Sequence, residues 1–269
     1  MVKKVLTIAG SDSLSGGGLQ ADLATFATQG VAGFSVISSL AIIEKDGVRI
    51  KPVDQSTFDA QLASVGQVDH FDAIKVGLLC SLEQIHSVVR FLKDYIGPVV
   101  VDPVLFFKEG NLTLERSIIK AYIEQLFPLA TVATPNLREA MSLLGEDEIP
   151  KSKGAALNFT KQLSLSARCA ILFKAGDEVL VDQFVDLLID EEGHPAVIRH
   201  KLIQSDYRDG AGCTLAAMLT ARLAQNEELK DAAKTSIDFA RQSILHGYTI
   251  SSDREEGNVF PNWSLANDD

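Results

Sequence analysis

Val5-Leu-Thr-Ile-Ala-Gly-Ser-Asp-Ser-Leu-Ser-Gly-Gly-Gly-Leu-Gln-Ala-Asp22 decides the fold. Its first five residues form an apolar run that reads as a buried strand ending at Gly10. The glycine-rich stretch 10–18 reads as a turn. From Leu19 to about Gln29 the pattern is helical, and Gly30 stops it. A strand, a turn and a helix in so short a span are the opening half of a βαβ unit.

The alternation continues outward from there. Residues 34–43, rich in β-branched side chains, read as a second strand, and further apolar runs stand at 73–79, 98–101, 130–133 and 170–173. Amphipathic stretches at 58–68, 82–95, 115–126, 137–144 and 155–165 separate them. Such alternation predicts an α/β fold with parallel strands and crossover helices on both faces. Residues 179–189 and 196–203 read as an antiparallel pair, and two long helices, 211–225 and 229–250, follow. The polar end of the chain, with its single Trp263, reads as a surface tail. Without repeats or a linker, residues 1–269 read as one domain.

Composition narrows the function. The 269 residues include 36 acidic and 25 basic side chains, a formal charge of −11. A nucleic-acid partner needs a basic face to release counterions, so none is expected. An anionic membrane surface is disfavoured on the same ground. No segment has the length of a signal core or a membrane span. Three scattered cysteines, Cys80, Cys169 and Cys213, make neither a disulfide framework nor a metal pair, which suits a reducing cytosol.

Asp209-Gly-Ala-Gly-Cys-Thr214 stands directly before a helical pattern. Small residues bring the backbone close to a ligand, and the N–H groups of a helix start can hold a phosphate oxygen. Cys213 falls in the first turn, where the helix field is expected to favour thiolate. A thiolate there can take a proton from a substrate hydroxyl. The same spacing suits an ordinary helix start with a small buried cysteine.

Three other stretches carry polar groups at strand ends. Gly10 to Gly18 fits neither a dinucleotide loop nor a P-loop and is equally a tight turn, but Ser11 and Asp12 sit where open α/β sheets bind ligands. Thr134-Pro-Asn-Leu-Arg-Glu139 places Asn136 and Glu139 on one face of a helix start. That pair suits a magnesium–water–phosphate network, although by spacing alone a capping box is the better reading. Asp102 ends a strand with Lys108 shortly after, Lys75 interrupts an apolar run, and Lys174 follows one. Lysines there can neutralise polyphosphate or be solvated strand ends. The five histidines have no ligand spacing.

Taken in order, Leu6–Asp12, Gly16–Asp22, Lys75–Leu78, Val101–Val104 with Lys108, Thr134–Asn136 with Glu139 and Ala140, Lys174, and Gly210–Thr214 resemble the ribokinase-like superfamily. The resemblance is to its branch of hydroxymethylpyrimidine (phosphate) kinases and pyridoxal kinases, and it covers nearly the whole chain. It implies a three-layer α/β/α fold with a mainly parallel sheet. It also implies ATP-dependent phosphorylation of a hydroxymethyl group on a flat heteroaromatic ring, with Mg2+, in a cytoplasmic homodimer. By resemblance Gly210, Ala211, Gly212 and Cys213 form the anion hole, with Cys213 as base. Ser11, Asp12, Gly17, Ile43 and Leu78 fall on the ring-substrate side, and Lys174, Asn136 and Thr214 on the ATP side. Glu139 and Asp102 fall on the metal side.

Three departures matter. Ile43 stands where pyrimidine kinases of this branch carry a Gln for the aminopyrimidine, which favours pyridoxal, pyridoxine or pyridoxamine; hydroxymethylpyrimidine or its phosphate is the alternative. Asp209 replaces a common His, and its charge is expected to oppose ATP and raise the thiol pKa unless it turns away or pairs with Arg208. Ala175 replaces a Gly, and its methyl is expected to crowd the nucleotide loop; the segment after it is also shortened. These two changes motivate a further alternative, a non-catalytic vitamer-binding descendant.

Overall fold

The protein is described here by a computed structural model that covers residues 1–44, 47–105, 116–176, 179, 184–201 and 203–265. Lys108, the start of the predicted 115–126 helix and most of segment 177–183 lie outside the described residues. So do Leu202 and the last four residues.

β1 (Lys4–Asp12) runs through the apolar opening and continues into Ser11 and Asp12. α1 (Gly18–Thr28) follows, then β2 (Ala32–Glu44). β3 (Gly47–Pro52) turns back on β2 as an antiparallel hairpin arm, an element the sequence pattern did not suggest. Its charged residues, Arg49 and Lys51, alternate with Val48 and Ile50, so only one face is apolar. The chain then alternates through α2 (Gln55–Val65), β4 (Ala73–Val76), α3 (Leu82–Leu92), β5 (Val99–Val101) and α4 (Arg116–Ala121). A π turn over Tyr122–Leu126 prolongs α4. β6 (Val132–Ala133), α5 (Leu137–Leu144), α6 (Lys153–Ala167) and β7 (Ala170–Gly176) follow. Side chains of Asp54, Ser81, Asn136 and Ser152 cap α2, α3, α5 and α6, each accepting from a backbone N–H in the first turn.

β8 (Phe184–Ile189) and β9 (Pro195–His200) form the expected antiparallel pair. The described strands make a nine-stranded sheet in the order β3-β2-β1-β4-β5-β6-β7-β8-β9. From β2 to β7 the neighbours are parallel; β3, β8 and β9 are antiparallel additions at the two edges. α7 (Ala211–Ala224) and α8 (Leu229–Leu245) come next. α8 ends five residues before the predicted 250, because Tyr248–Thr249 (β10) pairs with Gly257–Asn258 (β11). The polar end of the chain is partly packed: Gly257, Asn258, Val259 and Pro261 are buried, and Trp263 stacks on His246.

Strand alternation divides the two faces. Leu6, Ile8, Ile74, Val76, Val99, Val101, Ile171 and Phe173 join the larger core with α2 to α6. Val5, Ala73, Val100, Ala170 and Leu172 face the layer of α1, α7 and α8. α7 lies in the middle of that layer and is buried almost all round; alanines at 216, 217, 221 and 224 let it sit close to its neighbours. This is the three-layer α/β/α arrangement. Its consequence for chemistry is positional. Thr7 and Lys75, paired in register across β1 and β4, face α1 and α7, and Lys174 of β7 faces the same way.

Candidate active site

The sheet changes direction of growth at β1, which has β2 on one side and β4 on the other. Ligands of open α/β sheets bind beyond the carboxyl ends of strands at such a point. A cavity of about 230 Å³ opens there, below the roughly 300–1,000 Å³ of sites for drug-sized ligands and suited to one small ring. Five predicted ring-side residues, Ser11, Asp12, Gly17, Ile43 and Leu78, line it together with Gly210 and Cys213. Ala41, Ile43, Val48 and Ile50 of the β2–β3 hairpin give it an apolar wall.

Gln20, which the sequence reading passed over, braces the mouth. Its Oε1 accepts from the Asp12 N–H at 2.9 Å and its Nε2 donates to Ser11 Oγ at 2.9 Å. Ser39 was also passed over. Its Oγ is buried at the cavity without a hydrogen-bond partner, with the weakly bonding Cys80 thiol beside it.

The glycine stretch is more than a tight turn, because it meets the turn before α7 backbone to backbone. Gly18 has φ +58°, and a Cβ on it would lie 2.2 Å from the Gly10 carbonyl oxygen. Gly210 has φ +89°, and its Cβ would meet the Gly16 carbonyl oxygen at 2.8 Å. Only glycine fits both demands. The Gly18 N–H donates to Cys213 Sγ at 3.4 Å. The terminal segment fastens the junction. Asp209 N–H donates to Gly257, Val259 N–H donates to Asp209, and Asn258 Nδ2 donates to the Leu14 carbonyl at 2.7 Å.

The expectation that the helix start favours thiolate is corrected. Burial pushes the Cys213 thiol up to about 11, with Lys75 the strongest opposing pull and Asp22 and Asp102 adding to the rise. The first-turn field is outweighed by loss of water and by nearby carboxylates. Cys169 is buried and Cys80 half-buried, and burial raises both thiols, as fits packing residues.

The predicted ATP-side and metal-side residues form a second group next to the cavity. Lys174 Nζ donates to Asp102 Oδ1 at 2.9 Å, and Thr134 Oγ1 donates to the same oxygen at 2.8 Å. Burial works against the Lys174 charge, but Asp102 and Glu139 hold its pKa above the ordinary value. Its ammonium reaches the anion turn, since a Cβ on Gly212 would lie 3.3 Å from Nζ. Asn136 and Glu139 make the full capping box: each backbone N–H donates to the other's side chain, at 2.8 and 3.0 Å. Burial lifts Glu139 well above the usual carboxylate range; Lys174 opposes this and Asp102 reinforces it. Burial and Asp102 make the Glu139 charge costly, and a divalent cation beside these carboxylates would offset that cost. Among the described residues no group of three or more His, Cys, Asp or Glu side chains is placed to hold a metal ion. Thr214 is fully buried with Oγ1 unpartnered.

Lys75 is not a solvated strand end. It is fully buried and pairs with Asp22 at 2.7 and 2.8 Å, and Thr7 Oγ1 donates to Asp22 at 2.6 Å. Ala175 does not crowd the Lys174 side. Its methyl is buried in the larger core, on the opposite face of β7. Arg208 donates to the carbonyls of Ser205 and Ile203 at 2.6 and 3.1 Å, and Asp209 borders the cavity.

Similarity to known proteins agrees with this geometry. The profile of the phosphomethylpyrimidine kinase family matches residues 12–258. Pyridoxine kinase of Bacillus subtilis is 34% identical, with 92% of each chain covered. A hydroxymethylpyrimidine/phosphomethylpyrimidine kinase of Haemophilus influenzae is 36% identical, with 93% of each chain covered. The solved ADP complex of Bacillus subtilis pyridoxal kinase superposes with a TM-score of 0.90 at 33% identity, covering 99% of this chain and all of that one. Among the described residues no helix is long and apolar enough to cross a membrane. These matches over nearly the whole chain support a vitamin kinase that phosphorylates a hydroxymethyl group, and the chain belongs to the phosphomethylpyrimidine kinase family.

Proposed function

We propose that the protein transfers the γ-phosphoryl group of ATP to the 5′-hydroxymethyl group of pyridoxal, pyridoxine or pyridoxamine. The observation that carries this reading is the apolar wall of Ala41, Ile43, Val48 and Ile50. Ile43 offers no acceptor to an exocyclic amine, and an unpaired buried amine costs about 1–3 kcal/mol. A pyridine ring with a methyl substituent incurs no such cost.

In this reading Ser11 and Asp12 orient the ring from the cavity mouth, and Leu78 packs against it. Backbone N–H groups of Gly210, Ala211, Gly212 and Cys213 hold the transferring phosphoryl oxygens, as a helix start does. Cys213 Sγ, as thiolate, takes the hydroxyl proton; the freed oxygen attacks phosphorus, and the bond from phosphorus to the ADP oxygen breaks. Lys174, Asn136 and Thr214 face the nucleotide. Asp102 and Glu139 would hold Mg2+, which would offset the negative charge of the phosphates during transfer.

A single assay tests both the reaction and its substrate: ATP consumption with pyridoxal and with hydroxymethylpyrimidine. Preference for pyridoxal supports the proposal. Preference for the aminopyrimidine replaces it with the alternative, hydroxymethylpyrimidine or its phosphate, the substrate class in the name of the Haemophilus influenzae relative. Vitamer binding with no turnover on either points to the non-catalytic descendant. Cys213→Ala is expected to keep ATP binding and lose at least a hundred-fold in kcat; near-normal turnover removes Cys213 as base.

A further inference from the structure

We propose that Lys75, locked by Asp22 and Thr7, is a positioning residue for phosphoryl transfer, its buried ammonium balancing the charge on the Cys213 sulfur. The inference rests on the reading of Cys213 as base. Lys75 stands in the middle of a parallel sheet with no solvent exposure and ranks among the largest fully buried side chains. Lysine is almost never fully buried unless paired, and here the partner is Asp22. As a fold device the pair is a poor choice, because an apolar pair of similar volume commonly stabilises as well or better.

Placement suggests what the charge does. The strand alternation that sends Ile74 and Val76 into the larger core turns Lys75 toward α1 and α7. Its side chain lines the same cavity as Cys213, at the point where β1 and β4 part. Asp22 from α1, Lys75 from β4, Asp102 beyond β5 and Lys174 from β7 all act on that sulfur. Asp22 and Asp102 oppose thiolate, and Lys75 is the foremost charge favouring it. Asp22 grips the ammonium with both oxygens, while Thr7 fixes Asp22. The ammonium is therefore held in place at the wall of the cavity that Cys213 also lines.

The test compares wild type, Lys75→Met/Asp22→Asn and Asp22→Asn. Iodoacetamide alkylation of Cys213 at pH 8.5, read by peptide mass spectrometry, reports thiolate fraction without any turnover. The double substitution removes both charges together and so leaves no orphaned ion. It is expected to alkylate at least ten-fold more slowly than Asp22→Asn, the comparison that isolates the ammonium, and to lower kcat at least ten-fold, with KM for ATP within two-fold. A folded double variant that alkylates as fast as Asp22→Asn, or with wild-type kcat, overturns the proposal. If circular dichroism finds the double variant unfolded, Lys75→Gln decides: slower alkylation than wild type supports the role, and an equal or faster rate overturns it. A pair that merely ties β4 to α1 moves neither rate. Failure of the base assignment would appear separately, as near-normal turnover in Cys213→Ala, with the alkylation rates unaffected.

Discussion

Gly210→Ala probes the junction on which the site depends. At φ +89° the residue occupies left-handed backbone, which costs a side-chain-bearing residue about 1–2 kcal/mol. The new methyl would also lie 2.8 Å from the Gly16 carbonyl oxygen and 3.3 Å from Val259 Cγ2. Neither backbone can relax freely. Gly16 neighbours the turn that touches Cys213, and Val259 is hydrogen-bonded to Asp209. The anion turn must therefore shift by about half an ångström, and a misplacement of about 1 Å in a catalytic array costs roughly a hundred-fold. We expect kcat to fall about ten- to a hundred-fold and Tm to fall by several degrees. Gly145→Ala is the control. It too has positive φ, +69°, but nothing within 4 Å of its Cβ, and it ends α5 away from the cavity. It should lower Tm by a comparable strain while leaving kcat unchanged. Coupled-assay kinetics and thermal melts of both variants provide the readout. If Gly210→Ala keeps kcat within two-fold of wild type, the anion-hole reading of this turn is refuted.

Three further outcomes are expected. With the Cys213 thiol pushed up to about 11 by burial, the active thiolate grows as pH rises, so kcat/KM should climb about ten-fold per unit across the neutral range and still rise above pH 8; a flat profile there contradicts the base assignment. Ala175→Gly should leave KM for ATP within two-fold and cost about 1 kcal/mol in a denaturant melt, because the methyl lies in the core; tighter ATP binding would revive the crowding argument. Ile43→Gln should move the kcat/KM ratio toward hydroxymethylpyrimidine by about five- to a hundred-fold, the equivalent of roughly 1–3 kcal/mol, in a two-substrate competition; an unchanged ratio would mean that the β2–β3 wall does not select the ring.

What was legible in the sequence follows from how local each signal is. The parallel core strands are short apolar runs, and the capped helices carry their own start signals, so period and caps reveal them. β3 was not visible because Arg49 and Lys51 hide its one apolar face, and only pairing with β2 makes it a strand. The site divides the same way. Gly210–Cys213 and Ser11–Asp12 lie in contiguous stretches whose small or polar residues interrupt apolar patterns. Gln20, Ser39, Asn258 and the Lys75–Asp22–Thr7 group depend on contacts between residues far apart in the chain, for which no spacing rule exists. Lys75 was a visible anomaly, a charge inside an apolar run, but its partner across 53 positions was not. The thiol pKa was misjudged for a related reason: the helix start is local and visible, whereas burial and the carboxylates of Asp22 and Asp102 are assembled by the fold.

A formal charge of −11 stands against a triphosphate co-substrate only if that charge reaches the site. Exposed charges more than about 8 Å away are largely screened at physiological ionic strength, so the surface excess hardly reaches the site. Inside, carboxylates stand beside cations: Asp22 grips Lys75, and Asp102 accepts from Lys174. Glu139 is the exception, raised by burial and by Asp102 beyond what Lys174 offsets, and it stands where a divalent cation would be held. In the proposed site the positive potential that a phosphate needs comes instead from N–H groups at the start of α7, which carry no formal charge and do not appear in composition at all. An acidic chain can therefore bind a polyanion when its anion site is made of backbone, and glycine at 210 and 18 is what lets that backbone approach.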